Sequence, residues 1–278
     1  PHFYRGGQEG ETEEQFTDRM AKDLDELIQR EGPETIAAFI AEPIMGAGGV
    51  VVPPMSYFPK INAVLEKYDV RFIADEVICG FGRTGNWFGT QTFGMKATSI
   101  SMAKAITSAY FPMSAITIEE DLYQAMVDES KKIGTFGHGF TYTAHPVGCA
   151  VALKTIEIYQ RDRIVEHVRK MAPVFKARLD KLAEHPLVGE ARGVGLIGAL
   201  ELVADKKIRR AFDPKKMVGA TCVNFLQALG LINRAMGDSV AFCPPLIITE
   251  HEINEMFDMV GAALDQTEAW VRKENLRQ

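Results

Sequence analysis

Apolar residues recur at helical spacing in several stretches of this chain and gather into short, nearly unbroken runs between them. Over 11–30, Phe16, Met20, Leu24, Leu27 and Ile28 keep a 3.6-residue period, with acidic residues in the first turn and Gly32-Pro33 behind, which predicts an amphipathic helix. Residues 35–44 are apolar almost throughout and bounded by turn formers, the pattern of a strand buried in a parallel sheet. A Gly/Pro loop over 46–54 precedes a helix over 57–68 and a second buried strand over 70–77. Short strands are expected at 99–103 and 113–118. From Pro146 the helical spacing continues to about 181, predicting one long helix that leaves a first domain and enters a second. Residues 187–203 and 231–248 then alternate like strands, while 216–229 and 250–275 read as helices.

Strands alternating with helices argue for an α/β fold with a largely parallel sheet. The expected division is 1–160 for this larger unit and 161–278 for a smaller α+β domain.

Charge and cysteine content narrow the function classes. The net charge is -6 and no basic tract occurs, which argues against a nucleic-acid partner. Cys79, Cys149, Cys222 and Cys243 are widely spaced, as single thiols in a reducing cytosol would be; a disulfide framework or zinc ribbon needs closer pairs. No apolar run approaches the roughly 18 residues of a membrane-spanning helix, and no secretory leader is visible, so the expected location is cytoplasmic. The chain opens on Pro1 and a loop-like phrase, which suggests a protein truncated at its N-terminus.

Two residues carry the candidate chemistry. Asp75 ends the run Phe72-Ile73-Ala74, and Lys104 follows Ser-Ile-Ser-Met-Ala, 29 residues later. A carboxylate in apolar surroundings needs a partner or it neutralises. A lysine in such surroundings is desolvated, and its neutral amine becomes a nucleophile and base. An amine and a carboxylate at strand ends suit a pyridine-based cofactor: the amine makes a Schiff base and the carboxylate pairs with the protonated ring nitrogen. Two G-x-G-x-x-G matches, Gly80-Gly82-Gly85 and Gly193-Gly195-Gly198, lack the strand-then-helix setting of a dinucleotide site and read as turns or close contacts. His138 and His145 lack a third ligand at usable spacing, so no metal site is expected.

These residues, with Ala41-Glu42-Pro43 upstream and Gly139-Phe140-Thr141 downstream, resemble the class III pyridoxal-phosphate (PLP)-dependent aminotransferases. Glu42-Pro-Ile-Met and Asp75-Glu-Val-Ile-Cys-Gly are most similar to the ω-amino acid (amine):pyruvate branch. The resemblance implies a fold type I enzyme in which 1–160 is the C-terminal part of the PLP-binding domain. It implies that Lys104 bonds the cofactor as an aldimine and shuttles a proton, while Asp75 holds the ring nitrogen. By the same resemblance Val77 packs on the ring face, Glu42 orients the site, and Phe140 and Thr141 reach the phosphate of the neighbouring subunit in a homodimer with shared active sites. Arg234 would bind the substrate carboxylate; Arg83 is a weaker candidate and reads as structural. Taken alone, Val77 is equally a core valine, Glu42 a turn residue and Arg234 a surface arginine. The chain departs from the family pattern at Met45, Ile78 and Ala109, where Gln, Gln and Gly are common.

The implied activity moves an amino group from an amine or ω-amino acid to a keto acid, with pyruvate as the expected acceptor. Two alternatives stay open: another fold type I reaction such as an aminomutase or decarboxylase, and a chain that is catalytically incomplete by itself.

Overall fold

The structure is a computed structural model that describes residues 1–277. A single helical turn, α1 (Phe3–Gly6), leads to α2 (Glu13–Glu31). Thr12 starts α2 with a reciprocal cap: its hydroxyl accepts from Gln15 N, and the Gln15 side chain accepts from Thr12 N. The helix stops where Gly32 turns at φ +89°. Strand β1 (Ala38–Ala41), helix α3 (Tyr57–Lys67), β2 (Arg71–Asp75), the short α4 (Gly89–Phe93), β3 (Ser99–Met102) and β4 (Ala115–Ile118) follow. They build a four-stranded sheet ordered β1-β2-β3-β4, parallel across the first three strands and antiparallel at β4.

Helices α5 (Glu120–Ile133), α6 (Pro146–Arg161) and α7 (Ile164–Leu182) lead to a second sheet. There β5 (Val188–Val194) and β6 (Ile197–Leu202) form a hairpin, and after α8 (Val218–Ala228) come β7 (Arg234–Met236) and β8 (Ser239–Phe242). The order is β5-β6-β8-β7, antiparallel throughout, and α9 (Glu250–Lys273) closes the chain. The α/β architecture with a largely parallel first sheet is as the residue pattern implies.

Strand β6 is the seam between the layers, buried at every position. Its alternation sends Ile197 and Ala199 into the core that contains Phe58, Ile61, Phe72 and Ala74. Leu200 and Leu202 point the other way, toward Phe175, Leu179 and Phe257 of α7 and α9. Each of the fully buried Ile, Leu and Phe side chains contributes about 1.5–3 kcal/mol of transfer free energy.

Three expectations need correction. The helix expected over 146–181 is two helices, because Arg163 adopts φ +53° and turns the chain between α6 and α7. Helix α5 was not anticipated; it buries none of its residues and is marked mainly by end charges, Glu120 and Asp121 first and Lys131 and Lys132 last. Strand β1 is not buried on both faces: among the described residues it pairs only with β2, and Ile40 is 63% exposed.

Candidate active site

Parallel register brings three polar residues to one edge of the first sheet. Ala41 pairs with Ala74, and Asp75 pairs with Ser101. Glu42, Asp75 and Lys104 therefore lie at or just beyond the carboxyl ends of β1, β2 and β3, neighbouring strands about 4.8 Å apart. In open α/β sheets this edge is where ligands bind. Glu42 and Asp75 share an open cleft of ≈ 390 Å³ with Phe39, Ile40, Met45 and Tyr57.

Asp75 is half-buried and already partnered, so the expected buried carboxylate is corrected. Its Oδ1 accepts from Val77 N at 3.0 Å and from the Ser101 hydroxyl at 3.4 Å. Its Oδ2 has no hydrogen-bond partner among the described residues and remains free to accept. Glu42 is half-buried, and its Oε2 accepts from Gly46 N at 3.0 Å, which closes the start of the following loop. Val77 lies in the turn after β2, off the strand on which it was expected.

Lys104 is exposed, against the expected desolvation. The apolar run before it belongs to β3, and the lysine stands beyond the strand end, opening a tight turn at φ +46°. Its Nζ makes no hydrogen bond or ion pair among the described residues. The turn is anchored below by Thr107, 2% exposed, whose hydroxyl donates to Phe111 O at 2.6 Å.

Of the candidate residues only Glu42 and Asp75 line the cleft; Lys104, Val77 and the remaining candidates do not. Phe140 and Thr141 are exposed in the segment before α6, where Phe140 N donates to the Thr143 hydroxyl. Arg234 opens β7, exposed, with no side-chain bond among the described residues. His145 caps α6 by accepting from Val147 N, and His138 is exposed. Arg83 is structural as expected: Nη1 donates to Leu196 O at 3.0 Å and Pro244 O at 2.6 Å. Both glycine motifs take part in this contact, since Leu196 N donates back to Arg83 O.

Glu76 was missed. It is fully buried, and its oxygens accept from Gly89 N at 2.9 Å and Thr90 N at 2.6 Å, tying the end of β2 to the start of α4. Burial pushes its carboxyl above the usual range, against the pull of these two N–H groups. The alternation Phe72, Ala74, Glu76 points all three inward and leaves Asp75 on the open side. A buried ion network was missed as well. Arg192 Nη1 pairs with Glu190 at 2.5 Å and Glu201 at 2.8 Å; His2 reaches Glu190 and Arg5 reaches Glu201.

Comparison with known proteins identifies the family. The family model for aminotransferase class-III matches residues 2–264. A mitochondrial gamma aminobutyrate transaminase 1 of Solanum lycopersicum is 46% identical over 98% of this chain and 53% of its own length. Its namesake in Oryza sativa subsp. indica is 47% identical over 96% of this chain and 52% of its own. A solved transaminase with L-alanine superimposes at TM-score 0.95 with 52% identity, over 98% of this chain and 64% of that one. The omega transaminase from Pseudomonas jessenii, in complex with PMP, does so at 0.95 with 48% identity, over 98% and 60%. The chain spans about half the length of the curated relatives it matches. By family match and by fold, the chain is a member of the class III aminotransferases.

Proposed function

We propose that this chain carries the lysine-bearing part of a PLP-dependent aminotransferase that moves an amino group from an amine or ω-amino acid to a keto acid. The observation that carries the reading is the placement of Glu42, Asp75 and Lys104 at the carboxyl ends of three adjacent strands.

The residues present fit the cofactor. Asp75 Oδ2 is a free carboxylate oxygen suited to a protonated ring nitrogen, and the Lys104 amine is unengaged. When bound, PLP supplies an electron sink for exchanging an amine and a carbonyl. Asp75 holds the proton on the ring nitrogen. Lys104 Nζ would hold the cofactor and serve as the base that moves the proton during the exchange. Glu42 would steady the loop that follows it through Gly46 N, and Val77 would pack on the ring face. Arg234 offers a planar fork to a substrate carboxylate. Phe140 and Thr141, exposed in this chain, are proposed to face the phosphate site of a second subunit in a homodimer.

Pyruvate is the proposed acceptor: a solved relative is described with L-alanine, the amino acid that pyruvate becomes on receiving an amino group. The proposed domain division at 160/161 is supported by Ala152 of α6 packing with Phe81, Met102 and Ile106, while Val168, Phe175 and Leu179 of α7 join the other core. A cytosolic location is supported by four cysteines without a disulfide. No helix among the described residues is long and apolar enough to cross a membrane.

The test is an absorbance spectrum with added PLP, then borohydride reduction and peptide mass mapping. Label on Lys104, absent in Lys104→Ala, is the expected result; label scattered over other lysines would end the reading. The exposure of Lys104 favours a second reading, in which the chain alone binds PLP but turns nothing over. Labelling of Lys104 without alanine formation from an amine donor and pyruvate would select it.

A further inference from the structure

Lys104 begins a turn whose backbone is strained at three places. Lys104 itself has φ +46°, Ser108 φ +48° and Ala109 φ +64°. Residues with a side chain seldom occupy this left-handed region, and several within one short turn persist only where surrounding contacts over-determine it. Ala109 is the telling position, because a glycine would hold the same conformation without cost.

The contact that over-determines the turn comes from α6. The Tyr159 hydroxyl lies 2.6 Å from Ser108 Oγ and 3.3 Å from Ala105 O. The Ala105 carbonyl can only accept, so the phenol donates there and Ser108 donates to the phenol oxygen. One hydroxyl thus ties both ends of the segment between Lys104 and Ala109. The ring is fixed in turn: it lies 6.5 Å from the Trp87 ring and packs against both the Phe81–Met102–Ile106 cluster and the C-terminal core.

We infer that Tyr159 is a positioning residue for Lys104, its hydroxyl holding the strained turn from which the amine is presented to the cofactor. This rests on the role proposed above for Lys104. Because the clamp offsets strain at Ala109, removing that strain makes the hydroxyl less necessary. The two positions are therefore coupled, and the sign of the coupling is fixed in advance.

The experiment compares the parent chain with Tyr159→Phe, Ala109→Gly and the double variant. Two readouts are taken: the rate at which borohydride traps PLP on Lys104, and amide hydrogen exchange over 105–110, with β1–β3 amides and the thermal midpoint as folding controls. Tyr159→Phe is expected to fold as the parent does, to slow trapping about 10-fold, and to speed exchange in the turn. In the Ala109→Gly background the same substitution is expected to slow trapping only about 2-fold. Parent-like trapping and exchange in Tyr159→Phe would overturn the inference, as would an equal loss in both backgrounds. If the parent does not trap PLP on Lys104, the cofactor reading fails, and exchange alone decides the clamp. Faster exchange over 105–110 in Tyr159→Phe, smaller with Ala109→Gly, upholds it; unchanged exchange removes it.

Discussion

Arg192 Nη2, on β5, donates to the carbonyl of Gly49 at 2.6 Å and so joins the second sheet to the loop that leaves Glu42. Nε adds Val50 O at 3.0 Å, Nη2 adds the Ser239 hydroxyl at 2.9 Å, and Nη1 holds Glu201 and Glu190. The arginine is 6% exposed, so these bonds replace water almost completely. Arg192→Met takes this donor from two carboxylates and two carbonyls, with His2 still reaching Glu190 and Arg5 still reaching Glu201. The expected loss is about 3–5 kcal/mol, the range for breaking a buried pair. Urea unfolding with an unchanged m-value is the measurement, and a loss below about 1 kcal/mol would reduce the network to surface-pair strength. Arg192→Lys should recover little, because one ammonium cannot span acceptors that a planar fork reaches on several sides.

The hairpin of the second sheet meets the first unit at Gly195. It turns at φ +64°, and a Cβ there would lie 2.3 Å from Arg83 O and 2.6 Å from Thr84 Cα. The backbones cannot part without losing the bond between Leu196 N and Arg83 O at 3.0 Å. Gly195→Ala is expected to cost about 3 kcal/mol or more, from strain and overpacking together. Gly134, at φ +78° with nothing within 4 Å, supplies the comparison. Gly134→Ala meets only the backbone term, about 1 kcal/mol. Equal losses in thermal or denaturant unfolding would leave the steric argument without support.

Acid sensitivity should show at Glu11. Arg19 donates to both its oxygens, at 2.8 and 2.7 Å, and Gln8 N adds a third bond at 2.8 Å. The Arg19 hydrogen bonds are the main cause that lowers its pKa from 4.5 to about 2. A folded-state value below the unfolded one means stability that is fully present above the unfolded value. It is lost as pH falls from about 4.5 toward about 2. Glu11→Gln is therefore expected to melt below the parent at neutral pH and to converge with it at the acid end. A gap that stays constant over a pH series would assign the effect to neutral hydrogen bonding instead of charge.

What could be read from the residues divides along a physical line. Helices over 11–30, 57–68 and 250–275 were legible because their period and end signals are local, as the paired caps at Thr12 and Thr249 show. Glu76 was legible in principle, since strand alternation places it inward with Phe72 and Ala74. The break at Arg163 was not, because a left-handed arginine carries no mark in the neighbouring sequence. Exposure at Ile40 and Lys104 depends on what else covers the sheet, and a local apolar run cannot reveal that. Tyr159 lies 51 positions from Ser108, so nothing in either neighbourhood announces the contact.

Asp75 permits a test that separates binding from folding. Its two oxygens have different tasks: Oδ1 holds Val77 N and the Ser101 hydroxyl, while Oδ2 is the oxygen proposed for the ring nitrogen. Asp75→Asn can keep an oxygen at the first position, so the turn and the fold should be retained within about 0.5 kcal/mol. The second position then becomes an NH₂ group, which sets a donor against the donor of a protonated ring. A charge-assisted bond is lost, and PLP affinity is expected to fall about 10- to 100-fold. A PLP titration followed by absorbance, alongside thermal unfolding, reads the two effects separately. Parent-like affinity would remove Asp75 from the cofactor site. A large fall in melting temperature would make its main role the support of the turn at the end of β2. Weaker binding with an unchanged melting temperature is the pattern that the division between its two oxygens requires.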